Sequence, residues 1–159
     1  LVALLPILIY IAMVITTQAF ATTDKKHMPA VAISFIPLIA GYVTLQVKNA
    51  IAATGGTIDY QALSNTGIPL LGWERLAAGD ILVGMLMATI VIFIIDKKYI
   101  VSAVYALITG ALAFFGFVHA PAIGWATGWE VALGYVALAI VLVLMNYYRM
   151  HENVNDPTL

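Results

Sequence analysis

Five long apolar stretches follow one another along this chain, and they constrain its fold more than any other feature. They are Leu1–Phe20, Pro29–Val47 (reaching toward Ala53), Asp80–Ile95, Tyr99–Val118 and Trp129–Tyr148. A helix crossing a ~30 Å hydrocarbon core needs ~20 mostly apolar residues. The runs are continuous, whereas a membrane barrel strand alternates over ~10 residues. Lipid offers no partner to backbone N–H and C=O groups, so runs this long must be helices. Polar or helix-stopping residues close them. Thr22-Thr23-Asp24-Lys25-Lys26-His27 follows the first, Gly55-Gly56 the second and Asp96-Lys97-Lys98 the third. The expected fold is all-α: a polytopic membrane protein with about five transmembrane helices, forming one domain over residues 1–159.

Composition leads the same way. Of 159 residues, 63% are hydrophobic and 9% charged, with a mean hydropathy of +1.00. Soluble domains carry about a quarter charged residues, and a soluble core of this size cannot hide so much apolar surface. The net charge of −1 leaves no basic excess for a phosphate backbone, so no nucleic-acid partner is expected. The absence of cysteine removes disulfides, iron–sulfur clusters and thiolate zinc sites. Leu1–Phe20 has no basic lead and exceeds the ~7–15 apolar residues of a signal-peptide core, so it reads as a spanning helix. The chain opens Leu-Val-Ala, without Met or a polar lead, which predicts the carboxyl-terminal part of a longer membrane protein.

Lys and Arg placement sets orientation. Lys25, Lys26, Lys97, Lys98 and Arg149 fall on one side if there are five crossings. The long loop 48–79 on the other side carries Lys48 and Arg75, offset by Asp59, Glu74 and Asp80. The amino end is therefore expected outside and the carboxyl tail, 149–159, in the cytoplasm. Trp73, Trp125 and Trp129 are the outer anchors, and Phe20, Tyr99, Tyr147 and Tyr148 the inner ones. Within the outer loop, Ile58–Leu63 and Ile68–Leu76 are apolar enough to lie on the membrane or dip into it.

No catalytic signature is present: no His-Glu-x-x-His, no G-x-S-x-G elbow, no glycine-rich nucleotide loop. An enzyme is not expected, nor a metal site or cofactor. His27, His119 and His151 are not placed to ligate haem from facing helices at one depth. Ionisable residues near membrane depth are functional suspects, and here they hug the span ends. Asp80 opens the third span, as an N-cap or as part of an ion path. Asp96 reads as a member of an interfacial charge cluster with Lys97 and Lys98. Glu130 sits in the first turn of the fifth span, stabilised by the helix dipole or facing a solute or proton path. His119 is either satisfied by loop carbonyls or poised to change charge; the first reading is preferred.

Thr16, Thr17 and Gln18 in the first span, and Thr44 and Gln46 in the second, are expected to hydrogen-bond neighbouring helices. Gln18 is also a candidate for the solute path. Gly84/Ala88, Ser102/Ala106/Gly110 and Gly128/Ala132 mark close helix contacts. Pro37 lies inside the second span, with Gly41 one turn on. An interior proline frees a carbonyl and bends a helix, so this is a candidate break, either a transport hinge or a static kink. Pro121 ends the fourth apolar stretch.

The run from Pro6 to Ile15, then a polar gap with Asp24, then Pro29-Ala30-Val31-Ala32-Ile33-Ser34-Phe35-Ile36-Pro37-Leu38-Ile39 resembles the late part of xanthine/uracil-type permeases. These are nucleobase–cation symporters, and the likeness is to the adenine/guanine/hypoxanthine branch. It covers about the first third of the chain, with Ala12 where the family favours glycine. The resemblance implies a secondary transporter of two inverted repeats with core and gate parts. The present helices would supply gate or scaffold, while the substrate residues lie on upstream helices. It also implies partners: the bilayer, the upstream helices, and a small solute carried with H+ or Na+. The rival expectation is a small accessory subunit of a larger membrane complex, with neighbouring subunits or a second copy as partner. Either way the chain belongs in the cell inner (plasma) membrane.

Overall fold

The computed structural model describes residues 4–120 and 122–155. Leu1–Ala3, Pro121 and the end of the tail, 156–159, lie outside the described residues, and with them the expected helix stop at Pro121. Every regular element described is helical: α1 (Leu4–Thr22), α2 (Met28–Ala53), α3 (Tyr60–Asn65), α4 (Leu70–Ala77), α5 (Asp80–Ile95), α6 (Tyr99–Phe114) and α7 (Trp129–Asn155). A single 3-10 turn, Lys25–His27, leads into α2. Pro29 falls in the first turn of α2, where a missing N–H costs little.

The helices differ in reach. The stretches Lys25–Ala53 and Trp129–His151 are long and apolar enough to cross a membrane. At 16 residues each, α5 and α6 span only about 24 Å. Together α4 and α5 also pass the test, but the pair is bent by 81°. Among the described residues there are thus two spanning helices, or three if the bent pair counts as one. The fourth apolar stretch stops earlier than Val118 because Phe115 and Gly116 turn the chain, Gly116 in the left-handed region at φ +77°. Beyond Tyr148 the last helix continues to Asn155. The loop 48–79 contains two short helices, α3 and α4, close to the two apolar patches read from its sequence.

The α6–α7 and α2–α5 pairs form the main interfaces, α4 lies against α2, α5 joins α6, and among the described elements α1 packs against α2 alone. Small residues make these contacts close. A Cβ on Gly84 would come within 2.5 Å of the Ser34 carbonyl oxygen, so α5 meets the backbone of α2 directly. Gly128 abuts the Ala113 carbonyl, and Gly110 faces Ala132 and Tyr135. One core cluster joins Ile90, Ala103, Ala106, Ala139 and Leu142; another joins Val83, Ala113, Val118 and Ala132.

Polar bonds between helices are not where the spans' Thr and Gln residues suggested. Thr17 donates to the Met13 carbonyl of its own helix, and Gln46 donates to Tyr42 on its own helix. One interhelical polar bond within the apolar stretches comes from buried Ser102, whose hydroxyl donates to the Ile90 carbonyl at 2.9 Å. A threonine in a helix reaches its own carbonyl one turn back more readily than a distant neighbour.

The molecule has two polar ends. At one, Asp96 Oδ1 accepts from Lys26 Nζ and from His27 Nε2, each at 2.9 Å. Arg149 donates to the Lys97 carbonyl at 2.8 Å and lies 6.0 Å from the centroid of the Tyr99 ring. Asp96 therefore pairs across the bundle, not with its neighbours Lys97 and Lys98. Lys26 foremost, then His27, holds its carboxyl down to about 2. At the other end lie α4, the start of α5, the 115–128 loop and the start of α7.

Candidate functional site

The second polar end gathers the chemistry. Between α4 and α5 the chain turns through Ala78 and Gly79, with Gly79 left-handed at φ +76°. A Cβ there would approach the Phe117 carbonyl oxygen at 3.2 Å, so both conformation and space favour glycine. This turn is the sharp break between α4 and α5, and it also receives the loop after α6. The His119 N–H donates to the Ala78 carbonyl at 2.9 Å.

His119 is 5% exposed and sits at φ +59°. A left-handed non-glycine residue costs roughly 1–2 kcal/mol, so its surroundings must hold it there. Its Nδ1 lies 3.1 Å from the Arg75 carbonyl and must donate to it. Nε2 lies 2.9 Å from the Tyr135 hydroxyl. With Nδ1 carrying the proton, Nε2 of the neutral ring accepts from Tyr135. Burial pushes the imidazole below its ordinary value of 6.5, and the Arg75 carbonyl opposes this. The neutral tautomer is thereby fixed by α4 on one side and α7 on the other.

Two clefts flank this point. One, of about 510 Å³, lies between α4, α5 and α7, lined by Gly72, Arg75, Met87, His119, Gly134 and Tyr135 among others. The second, of about 430 Å³, is bordered by Thr44, Lys48, Glu74, Arg75, Ala77 and Thr127. Arg75 borders both, and its guanidinium pairs with the Glu130 carboxylate. Lys48 pairs with Glu74 at 2.5 Å, and the Tyr60 hydroxyl donates to Glu74 at 3.1 Å.

The residues singled out from sequence divide between this end and the rest. Glu130 and His119 come together here through Arg75, which charge balance alone had treated only as an outer-loop cation. Asp80 belongs to the same end but does not cap α5. The cap position is Gly79, and the Asp80 carboxylate, one residue inside, accepts from the Ile81 N–H at 2.8 Å. It lies over Gly41: a Cβ on that glycine would be 3.2 Å from Asp80 Oδ2. Pro37 is buried, and α2 runs helically through both Pro37 and Gly41. Gln18 is exposed on α1, which among the described elements packs against α2 alone, so it joins none of these groups. Tyr135 escaped sequence reasoning because a tyrosine inside an apolar run looks like one more core residue. Among the described residues no group of three or more His, Asp or Glu could hold a metal ion.

Comparisons of this chain with protein families, with curated proteins and with solved structures give no match.

Proposed function

We propose that the chain crosses the inner (plasma) membrane five times, amino end outside and carboxyl end cytoplasmic, as gate or scaffold helices of a secondary transporter. The solute class is a purine or pyrimidine nucleobase or a similar small polar molecule. The observation that carries this reading is the 510 Å³ cleft at the outer end, with the His119–Tyr135 pair on its wall. Its volume lies within the ~300–1,000 Å³ of small-molecule sites, and its mostly apolar wall with a few fixed polar groups is what such sites use. A flat heteroaromatic ring fits that chemistry: aliphatic side chains cover the ring, and the Tyr135 hydroxyl, which donates to His119, keeps acceptor capacity for an N–H on its edge. The small-residue contacts at Gly84, Gly110 and Gly128 keep the helices close enough to move as packed units. Uptake of labelled purines and uracil by cells expressing the gene tests the reading. Uptake that falls about tenfold or more in His119→Ala supports it. No uptake of any nucleobase, with expression confirmed, overturns it.

A second reading has its own observation. Among the described elements α1 packs against α2 alone, and Tyr10, Met13 and Ile15 on it are exposed. That surface suits lipid, and equally a neighbouring subunit. Purification in mild detergent separates the two. Co-migration with a large assembly in place of uptake favours the accessory-subunit reading.

A further inference from the structure

Thr44 behaves unlike its counterparts. Thr17, Thr22, Thr89 and Thr109 each donate to the carbonyl four residues back, at 2.8 Å in every case. Thr44 is 7% exposed, and its hydroxyl oxygen is buried with no hydrogen-bond partner. A buried hydroxyl left unpaired costs about 1–3 kcal/mol, a cost the back-bond would remove. The residue borders the 430 Å³ cleft beside Ala77, at the end of α4.

One turn before Thr44 on α2, Gly41 carries the Asp80 carboxylate on its face, with the Ala77 Cβ 3.5 Å from where its own Cβ would stand. Asp80 takes part in none of the ion pairs among the described residues. Its acidic neighbours are spent: Glu74 on Lys48 and Tyr60, Glu130 on Arg75. Both cations of this end are thus paired, and Asp80, like Asp59 at the start of α3, has no cationic partner among the described residues. The break adds oxygen donors. The carbonyl end of a helix is its negative pole, and interrupted membrane helices use such ends to coordinate alkali cations. At this break the carbonyls of Arg75 and Ala78 are taken by His119.

We propose that the α4–α5 break and the Gly41–Thr44 face of α2 form a binding site for a monovalent cation, sodium, with the Thr44 hydroxyl, the Asp80 carboxylate and the Ala77 carbonyl as protein donors. One free carboxylate with neutral oxygens matches a single positive charge. Calcium sites gather six to eight oxygens with several carboxylates, and the donor set here contains no imidazole or thiolate for a transition metal. Gly41 belongs to the site because a side chain there would displace the carboxylate. The role of this cation as coupling ion rests on the transport reading; its binding does not.

The test is thermal unfolding of the purified protein in detergent, in NaCl against choline chloride at equal ionic strength. Sodium raises the melting temperature of the wild type in a saturable manner, as a ligand of the native state must. Thr44→Val keeps the shape and removes a hydroxyl that satisfies nothing in the protein. It melts at the same or higher temperature without sodium, while the apparent sodium affinity falls at least tenfold. Asp80→Asn abolishes the sodium response. If Asp80→Asn does not fold, Thr44→Val still decides. Equal melting in sodium and choline, or an undiminished sodium response in Thr44→Val, overturns the site. Sodium binding without nucleobase uptake removes the transport reading and leaves the site standing; uptake without a sodium response does the reverse.

Discussion

At His119 two ring hydrogen bonds, one backbone hydrogen bond and a left-handed backbone meet, and replacement of the ring should be costly. His119→Ala leaves the Arg75 carbonyl without its donor and removes the acceptor of Tyr135, a loss of about 1–3 kcal/mol. Denaturation in detergent reads it directly. The same residue sets a pH dependence. Its folded value lies below 6.5, so the unfolded chain takes up a proton first as pH falls. The native state is therefore favoured fully above pH 6.5 and progressively less below it. Unfolding midpoints between pH 7.5 and 5.5 should fall for the wild type and change less for His119→Gln. Asp96 acts in a separate window. Its carboxyl, ordinarily at 3.8, is held down to about 2 by Lys26 and His27, so its contribution is complete above pH 3.8 and fades between there and 2. Asp96→Asn should show no such loss over that interval.

For the helices, the decisive residues are those that have no side chain. Gly84 lets α5 rest on the backbone of α2. A Cβ at 2.5 Å from the Ser34 oxygen cannot be absorbed by a rotamer change, because the obstacle is main chain. Gly84→Ala should therefore cost about 1–3 kcal/mol, as overpacking does, and lower the melting temperature although alanine is the better helix former. Gly134 offers the matching control, since nothing lies within 4 Å of its Cβ position: Gly134→Ala should be neutral or stabilising. These small residues were readable from four-residue spacing, because close approach of two helices demands them wherever the partner lies. The break was placed differently by sequence and by structure. In the sequence the strongest local signal for a bend is Pro37, with Gly41 one turn on. The chain instead turns sharply at Gly79, where the left-handed backbone, the approach of Phe117 and the bond from His119 to Ala78 all converge.

Across the whole molecule the charges sort into two ends. Lys26, Asp96, Lys97 and Arg149 meet at one; Lys48, Glu74, Arg75 and Glu130 meet at the other. The proposed five-crossing topology would place the first group in the cytoplasm. Single cysteines introduced at Lys97 and Met150 should react with an impermeant thiol reagent only after the cells are opened, and one introduced at Asn65 in intact cells. Labelling of the Lys97 and Met150 sites on opposite sides would remove the proposed topology.

The amino-acid sequence by itself determined that this chain is helical and apolar, where α5 begins and ends, and that glycines and alanines line its helix contacts. Each of these follows from local chemistry: hydropathy, backbone hydrogen bonding, and the size of one side chain. Only the tertiary structure decided that Asp96 reaches Lys26 rather than Lys97, that Arg75 links Glu130 to His119, and that Thr44, bordering a cleft with Ala77, keeps a buried hydroxyl unpaired. Those pairings join residues up to 70 positions apart. Which of several compatible partners a charge or hydroxyl meets depends on how the helices pack, and no spacing along the chain encodes that.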